Sequence, residues 1–126
     1  MMEYDNLHVI NFKLFEDPCS KDIYTIEFID RMARLFGEDS DKLLIEIMDA
    51  IDKCDVKIYK DKLHALKGIA GNMFAEKLAA ICKLAQELPD DDKFYDHAKR
   101  YIEDLKLCQQ NTKSELTNYI ARSSKE

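Results

Sequence analysis

The residues of this chain best suited to chemistry lie together near its middle, in the run His64-Ala65-Leu66-Lys67-Gly68-Ile69-Ala70-Gly71-Asn72. On a helix, His64, Lys67, Gly68 and Gly71 fall at i, i+3, i+4 and i+7 and share one face. A neutral imidazole is a nucleophile near pH 7, and a lysine one turn on offers positive charge to an anion held there. The glycines are the unusual part. Each costs a helix interior roughly 1 kcal/mol relative to alanine, yet two of the chain's three glycines stand here. Removing side chains around an imidazole leaves room for something to approach it. Every feature also has a plainer reading: a half-buried histidine with a satisfied hydrogen bond, glycines at a helix end or a close packing point, a solvated lysine. Their coincidence on one face favours a site.

A helix is the element that must carry this face. Tyr59, Leu63, Leu66, Ala70 and Met73 recur at steps of four, three, four and three, the spacing of a single buried stripe. Asp55 caps its start, after a short Lys53-Cys54-Asp55 connection, and the helix ends or bends near Gly71-Asn72, where Asn72 is placed to cap the next one. That next helix turns Leu78, Ile81 or Cys82, Ala85 and Leu88 inward, and Pro89 stops it. Asp90 to Asp92 then cap the last and longest helix, where Phe94, Ala98, Tyr101, Leu105, Cys108, Thr112, Leu116 and Tyr119 form a nearly unbroken seam.

Before Lys53 the spacing predicts two more helices. One starts at Ser20 as N-cap, buries Ile23, Ile26, Ile29 or Met32, and Phe36, and ends at Gly37. The other is capped by Asp39 or Ser40 and buries Leu43 or Leu44, Ile47, Met48 and Ile51. Residues 1–19 read as an N-terminal arm, either extended or a short helix, since Ile10, Phe12 and Leu14 alternate without a second strand to pair with. Residues 20–122 form the bundle and 123–126 a frayed tail. Short connections make sequential helices antiparallel neighbours. The expected fold is all-α: an up-and-down antiparallel four-helix bundle, with an additional N-terminal helix packed across one end.

The run His64-x-Leu66-Lys67-Gly68-x-Ala70-x-Asn72-x-x-Ala75, continuing to Leu78 and Cys82, resembles the signature of histidine-containing phosphotransfer (HPt) domains. The helical layout from about Ser20 to Arg122 is similar to theirs as well. The resemblance implies the same bundle topology, and a histidine that carries a phosphoryl group between receiver-domain aspartates. Two positions depart from the family pattern: Phe74 stands where glycine is usual, and Ile69 where a small residue is common. On a straight helix Phe74, seven residues after Lys67, lies near the histidine face; there it either narrows access or supplies an apolar docking contact.

These readings assign His64 as phosphoryl acceptor and donor, Lys67 as charge for the transferring oxygens, and Gly68 with Gly71 as clearance. Gln86, one turn beyond Cys82 on the neighbouring helix, is placed to hydrogen-bond the imidazole or the phosphate. No phosphate-binding loop, nucleotide motif or acidic metal site is present, so the chain is not expected to take phosphate from ATP unaided. No cofactor is expected on the chain, and the Mg²⁺ and acidic pocket are expected on the partner: the receiver domain of a response regulator or of a hybrid sensor kinase. A helical adaptor that docks such a partner and transfers nothing is the rival reading. A bundle enzyme is a weaker one, since it needs paired Glu-x-x-His ligands on core positions. Neither His64 nor His97 has a glutamate three residues before it, and Asp61, which precedes His64 at that spacing, is single and turned toward solvent.

Length and charge bound the rest. With 126 residues the chain is expected to be one domain, and as a monomer. A net charge of −6 argues against a nucleic-acid footprint, which needs clustered Lys and Arg. The first apolar run, Leu7 to Phe15, is interrupted by His8, Asn11 and Lys13, unlike a leader or a membrane span. Cys19, Cys54, Cys82 and Cys108 show no C-x-x-C spacing and do not pair with His8, His64 or His97 at ligand spacing. Reduced, mostly buried thiols in a cytoplasmic protein without a metal are expected.

Overall fold

The computed structural model describes residue 4, residues 6–20 and residues 22–124. The sequence expectations for the rest of the arm and for residues 125–126 of the tail lie outside the described residues. Four α-helices and no strand are present among those described: α1 (Ile26–Asp52), α2 (Val56–Asn72), α3 (Glu76–Gln86) and α4 (Phe94–Ser123). Each helix packs on the next, and α4 closes the ring against α1. The result is a helical bundle, and no helix among the described residues is long and apolar enough to cross a membrane.

The largest departure from the sequence reading is α1. The separate helix expected from Ser20 to Gly37, lying across one end, is instead the first half of one 27-residue helix. Its N-cap is Thr25, whose Oγ1 accepts from the amide of Phe28 at 3.1 Å. Ser20 serves in the turns before it, its carbonyl accepting from Ile23 and Tyr24; Ile23, expected in the core, is consequently 61 % exposed. Gly37 keeps a helical backbone, and Ser40 starts nothing. Its side chain is fully buried, donates to the Gly37 carbonyl, and accepts from Gln109 of α4 at 2.7 Å. Gln109 also donates to Asp41 at 2.7 Å, and Lys113 closes an ion pair with the same carboxylate at 3.0 Å. Residues that locally resemble a helix end and start are thus held in mid-helix by a polar contact with α4.

The other helices follow their apolar spacing. Tyr59, Leu63, Leu66, Ala70 and Met73 are all buried, and the Asp55 carboxylate caps α2 by accepting from the Ile58 amide at 3.1 Å. Leu78, Ile81, Cys82 and Ala85 face inward from α3, which ends at Gln86 and leaves Leu88 half-buried in the connection. On α4 the expected seam is buried except for Tyr101 and Tyr119, which are half-buried, while Ile102 and Gln109 join it. A helix of 3.6 residues per turn drifts off a strict heptad over such a length. Asp91 organises the turn into α4, with its carboxylate accepting from the Lys93 amide and its carbonyl from Phe94.

Asn72 does not cap α3. It is the last residue of α2, and the N-cap position of α3 is Ala75, which has no side chain able to accept. The arm supplies the missing acceptor: the carbonyl of His8 takes the amide of Lys77 at 2.9 Å, and the amide of Asn11 donates to Phe74 O at 2.9 Å. The arm crosses the α2–α3 turn in this way, forms a 3-10 turn over Phe12–Leu14, and buries Tyr4, Ile10 and Phe15. Phe74 lies beyond the end of α2, at φ 55°, so a straight-helix projection onto the histidine face does not apply. Glycine adopts that conformation freely, and a phenylalanine there costs about 1–2 kcal/mol. Edge-on contacts with Phe15 (5.0 Å between centroids) and Tyr24 (5.7 Å) hold the ring against the arm.

All four cysteines are free, and only Cys82 and Cys108 are buried; Cys19 and Cys54 are exposed. Burial pushes the Cys108 thiol up to about 11 and the Cys82 thiol higher still, which leaves both as inert packing groups.

Candidate functional site

Leu63, Leu66 and Ala70 turn one side of α2 into the core, and this orients the opposite side to solvent. Its base is rigid: the hydroxyl of buried Tyr59 donates to the carbonyl of Ala85 at 2.8 Å, and its ring meets Phe94 edge-on at 4.9 Å. On the outer side His64, Gly68 and Gly71 are exposed and Lys67 is half-buried. His64 makes no hydrogen bond or ion pair among the described residues. A Cβ built on Gly68 or on Gly71 would meet nothing within 4 Å. Neither glycine is required by close packing or by a turn; what they leave beside the imidazole is open space.

Gln86 arrives beside this strip from α3, but its amide donates to the carbonyl of Lys60, at 3.4 Å, and not to the imidazole. That carbonyl is the one an α-helix assigns to the amide of His64, so Gln86 ties the end of α3 to the turn beneath the histidine. The same contact fixes the pairing of the two helices. The end of α3 lies beside the start of α2, while the Ala75 amide bonds Ala70 O where α2 turns into α3, so the two run antiparallel.

Charge is distributed unevenly around His64. Lys67 lies toward α3, where its positive charge opposes the effect of burial on Cys82. Asp61, one turn before His64, is exposed and paired with Lys57 at 2.9 Å; Lys62 pairs across to Glu46 of α1 at 2.7 Å. Lys60 and Lys67 have no ion-pair partner among the described residues. No cluster of three or more His, Cys, Asp or Glu able to hold a metal occurs among those residues either.

Beside the strip, on the α1 side, runs an apolar cleft of about 440 Å³ walled by Tyr24, Phe28, Met32, Leu35, Ile69 and Met73, with Asn72 on its edge. Ile69 belongs to this wall and not to the histidine stripe. Sequence spacing does not show the cleft because its far wall is the first half of α1, whose place against α2 depends on α1 being continuous. Lys60 was legible four residues before His64, on the same face, but is not part of the signature; the position of α3 against it was not legible at all. No family model, no curated protein and no solved structure matches the chain.

Proposed function

We propose that the chain is a histidine phosphocarrier of a two-component phosphorelay, taking a phosphoryl group from one receiver-domain aspartate and passing it to another through His64. The observation that carries this reading is an exposed, unpartnered imidazole beside two glycines whose missing side chains leave empty space. A group that must enter another protein's cleft needs that exposure, while a structural histidine would be bonded within its own chain.

The step balances without a further reagent. A lone pair on one ring nitrogen of neutral His64 attacks the phosphorus of the partner's aspartyl phosphate. The N–P bond forms as the P–O bond breaks, and the leaving electron pair goes to the aspartate carboxylate; the other ring nitrogen keeps its proton. The reverse sequence delivers the group to the next aspartate. Positioning and charge stabilisation dominate such transfers. Side chains on a helix lean toward its N-terminus, which brings the Lys67 ammonium back to the level of His64 and the transferring oxygens. Gln86 acts beneath the ring through the Lys60 carbonyl, as a positioning residue. The divalent ion is the partner's, and the apolar cleft beside the strip is the surface the partner covers. That assignment places the protein in the cytoplasm, where receiver domains reside.

A non-transferring adaptor is the second reading, favoured by the cleft alone, which would dock a partner whether or not His64 reacts. Incubation with a ³²P-labelled receiver domain separates the two. A carrier acquires acid-labile, base-stable label that disappears in His64→Gln; an adaptor binds without label, and label surviving in His64→Gln rejects His64 as the acceptor.

A further inference from the structure

Away from the histidine face, a second cleft holds polar side chains that the fold leaves unused. It has a volume of about 310 Å³ and is lined by Leu88, His97, Arg100, Tyr101 and Asp104. These residues belong to α4 and to the connection before it. His97, Arg100, Tyr101 and Asp104 fall at i, i+3, i+4 and i+7, so one helix face presents an imidazole, a guanidinium, a phenol and a carboxylate. Leu88 and Tyr101 are half-buried and pack against the core, which gives the cleft an apolar side.

Arg100 is the informative residue. Asp96 and Asp104 stand four residues to either side of it, the spacing at which Asp30–Arg34, Asp49–Lys53 and Lys57–Asp61 close ion pairs elsewhere in this chain. Arg100 pairs with neither, and no other side chain takes it among the described residues. Asp104 is held instead by the arm, accepting from the hydroxyl of buried Tyr4. A carboxylate accepts several hydrogen bonds, so this one donor leaves most of its capacity open. The imidazole of half-buried His97 has no partner among the described residues either. Buried or half-buried polar groups are ordinarily satisfied within the chain. Here a positive and a negative group are kept apart, one helical turn from each other, on either side of an open space.

We infer that this cleft binds a small zwitterion of the α-amino acid class with an apolar side chain. The ligand carboxylate takes the planar fork of Arg100, which suits two parallel hydrogen bonds, and a ring N–H of His97. The ligand ammonium donates to Asp104, and the apolar side chain lies against Leu88 and the Tyr101 ring. Charge selects this class over a phosphate. Arg100 and Asp104 sum to zero, so a dianion meets repulsion as well as attraction, whereas a dipolar molecule satisfies both groups. Size selects a single amino acid over a peptide, since about 310 Å³ is at the bottom of the roughly 300–1,000 Å³ range of small-molecule sites. The site is independent of the phosphocarrier reading, because its residues lie outside α2.

Titration of L-leucine and L-phenylalanine into the ¹⁵N-labelled full chain, followed by amide and imidazole NMR shifts, tests the site. Saturable shifts centred on Leu88 and residues 97–104 are expected, with a Kd of about 1 mM or tighter. The analogue 4-methylpentanoate lacks the ammonium of leucine, and 3-methylbutylamine lacks its carboxylate. Each of these, and inorganic phosphate, should bind about tenfold more weakly or worse. Arg100→Gln and Asp104→Asn should each weaken L-leucine binding about tenfold or more, since each removes hydrogen bonds to a charged group. Arg100→Lys, which keeps the charge and loses the fork, should fall between Arg100→Gln and the wild type. Circular dichroism checks the fold, and the exposed Arg100 positions decide the matter if Asp104→Asn loosens the arm through Tyr4. No saturable shift with either amino acid up to about 10 mM overturns the assignment. So does 4-methylpentanoate or phosphate binding as tightly as L-leucine, or an unchanged affinity in Arg100→Gln.

Discussion

Two stretches of this chain look alike in sequence and differ in what the fold does with them. Gly37-Glu38-Asp39-Ser40-Asp41 and His64-Ala65-Leu66-Lys67-Gly68 both put glycine beside polar side chains within a helix. In the first, every polar group the helix turns inward finds a partner: Ser40 and Asp41 receive Gln109, and Asp41 receives Lys113. In the second, His64 and Lys67 are left without one, and the glycines face empty space. A polar group that the chain itself satisfies is structural. One held at the surface with room in front of it is available to another molecule.

Substitutions at matched positions test this contrast. The largest effect is expected for His64→Gln, which should abolish labelling from a phosphorylated receiver while changing thermal stability by less than about 0.5 kcal/mol, as for other exposed sites. Gln109→Ala should show the converse. Emptying a buried amide position and leaving Ser40 without its donor should cost about 1–3 kcal/mol, read as a lower melting temperature with transfer rates unchanged once folded. Equal loss of transfer in both variants would erase the distinction between the regions.

The glycines sharpen it further. Gly68→Ala meets nothing within 4 Å, and Gly37→Ala meets only the Lys113 Cε at 4.0 Å, so both should stabilise the helices by about 0.5–1 kcal/mol in chemical denaturation. On the phosphocarrier reading only Gly68→Ala should also slow phosphotransfer, because the space it fills lies on the face proposed to enter a partner's cleft. A Gly68→Ala chain that transfers at the wild-type rate would return that glycine to chance.

The smallest effect concerns pH. Burial is the largest single influence on Asp41 and raises its affinity for a proton, yet hydrogen bonds from Lys113 and Gln109, with the lysine's charge, outweigh it and hold the carboxyl below its ordinary value. A carboxyl depressed in the folded state contributes stability above its unfolded pKa of about 3.9, and that contribution is lost as pH falls through the depressed value. Asp41→Asn should therefore flatten the acid limb of the stability curve below about pH 4, by an amount small for so exposed a carboxylate.

The helical stripe beneath the site was readable in advance. Tyr59, Leu63, Leu66, Ala70 and Met73 declare a buried face by spacing alone, because helical periodicity is a local property. The outward direction of His64, Gly68 and Gly71 follows from the same stripe. Gly37 and Ser40 misled for the converse reason: their local chemistry is that of a helix boundary, and what overrules it is Gln109, 69 residues away from Ser40 in the chain. Phe74 is similar. That it stands where HPt domains, which the run resembles, usually have glycine was visible, but its left-handed backbone and its aromatic contacts with the arm depend on where residues 8 to 15 lie.

Spacing and residue type, taken by themselves, determined helices as the chain's elements, the inward stripe of α2 and most of those of α3 and α4, and an imidazole on a face cleared by glycines; all of these repeat within a few turns of backbone. Tertiary structure alone decided that α1 is continuous, that the arm carbonyl caps α3, that an apolar cleft opens beside the histidine, and that Gln86 bonds the carbonyl of Lys60. Each of these joins residues far apart in the chain, and the energy of such contacts appears only when the helices have packed.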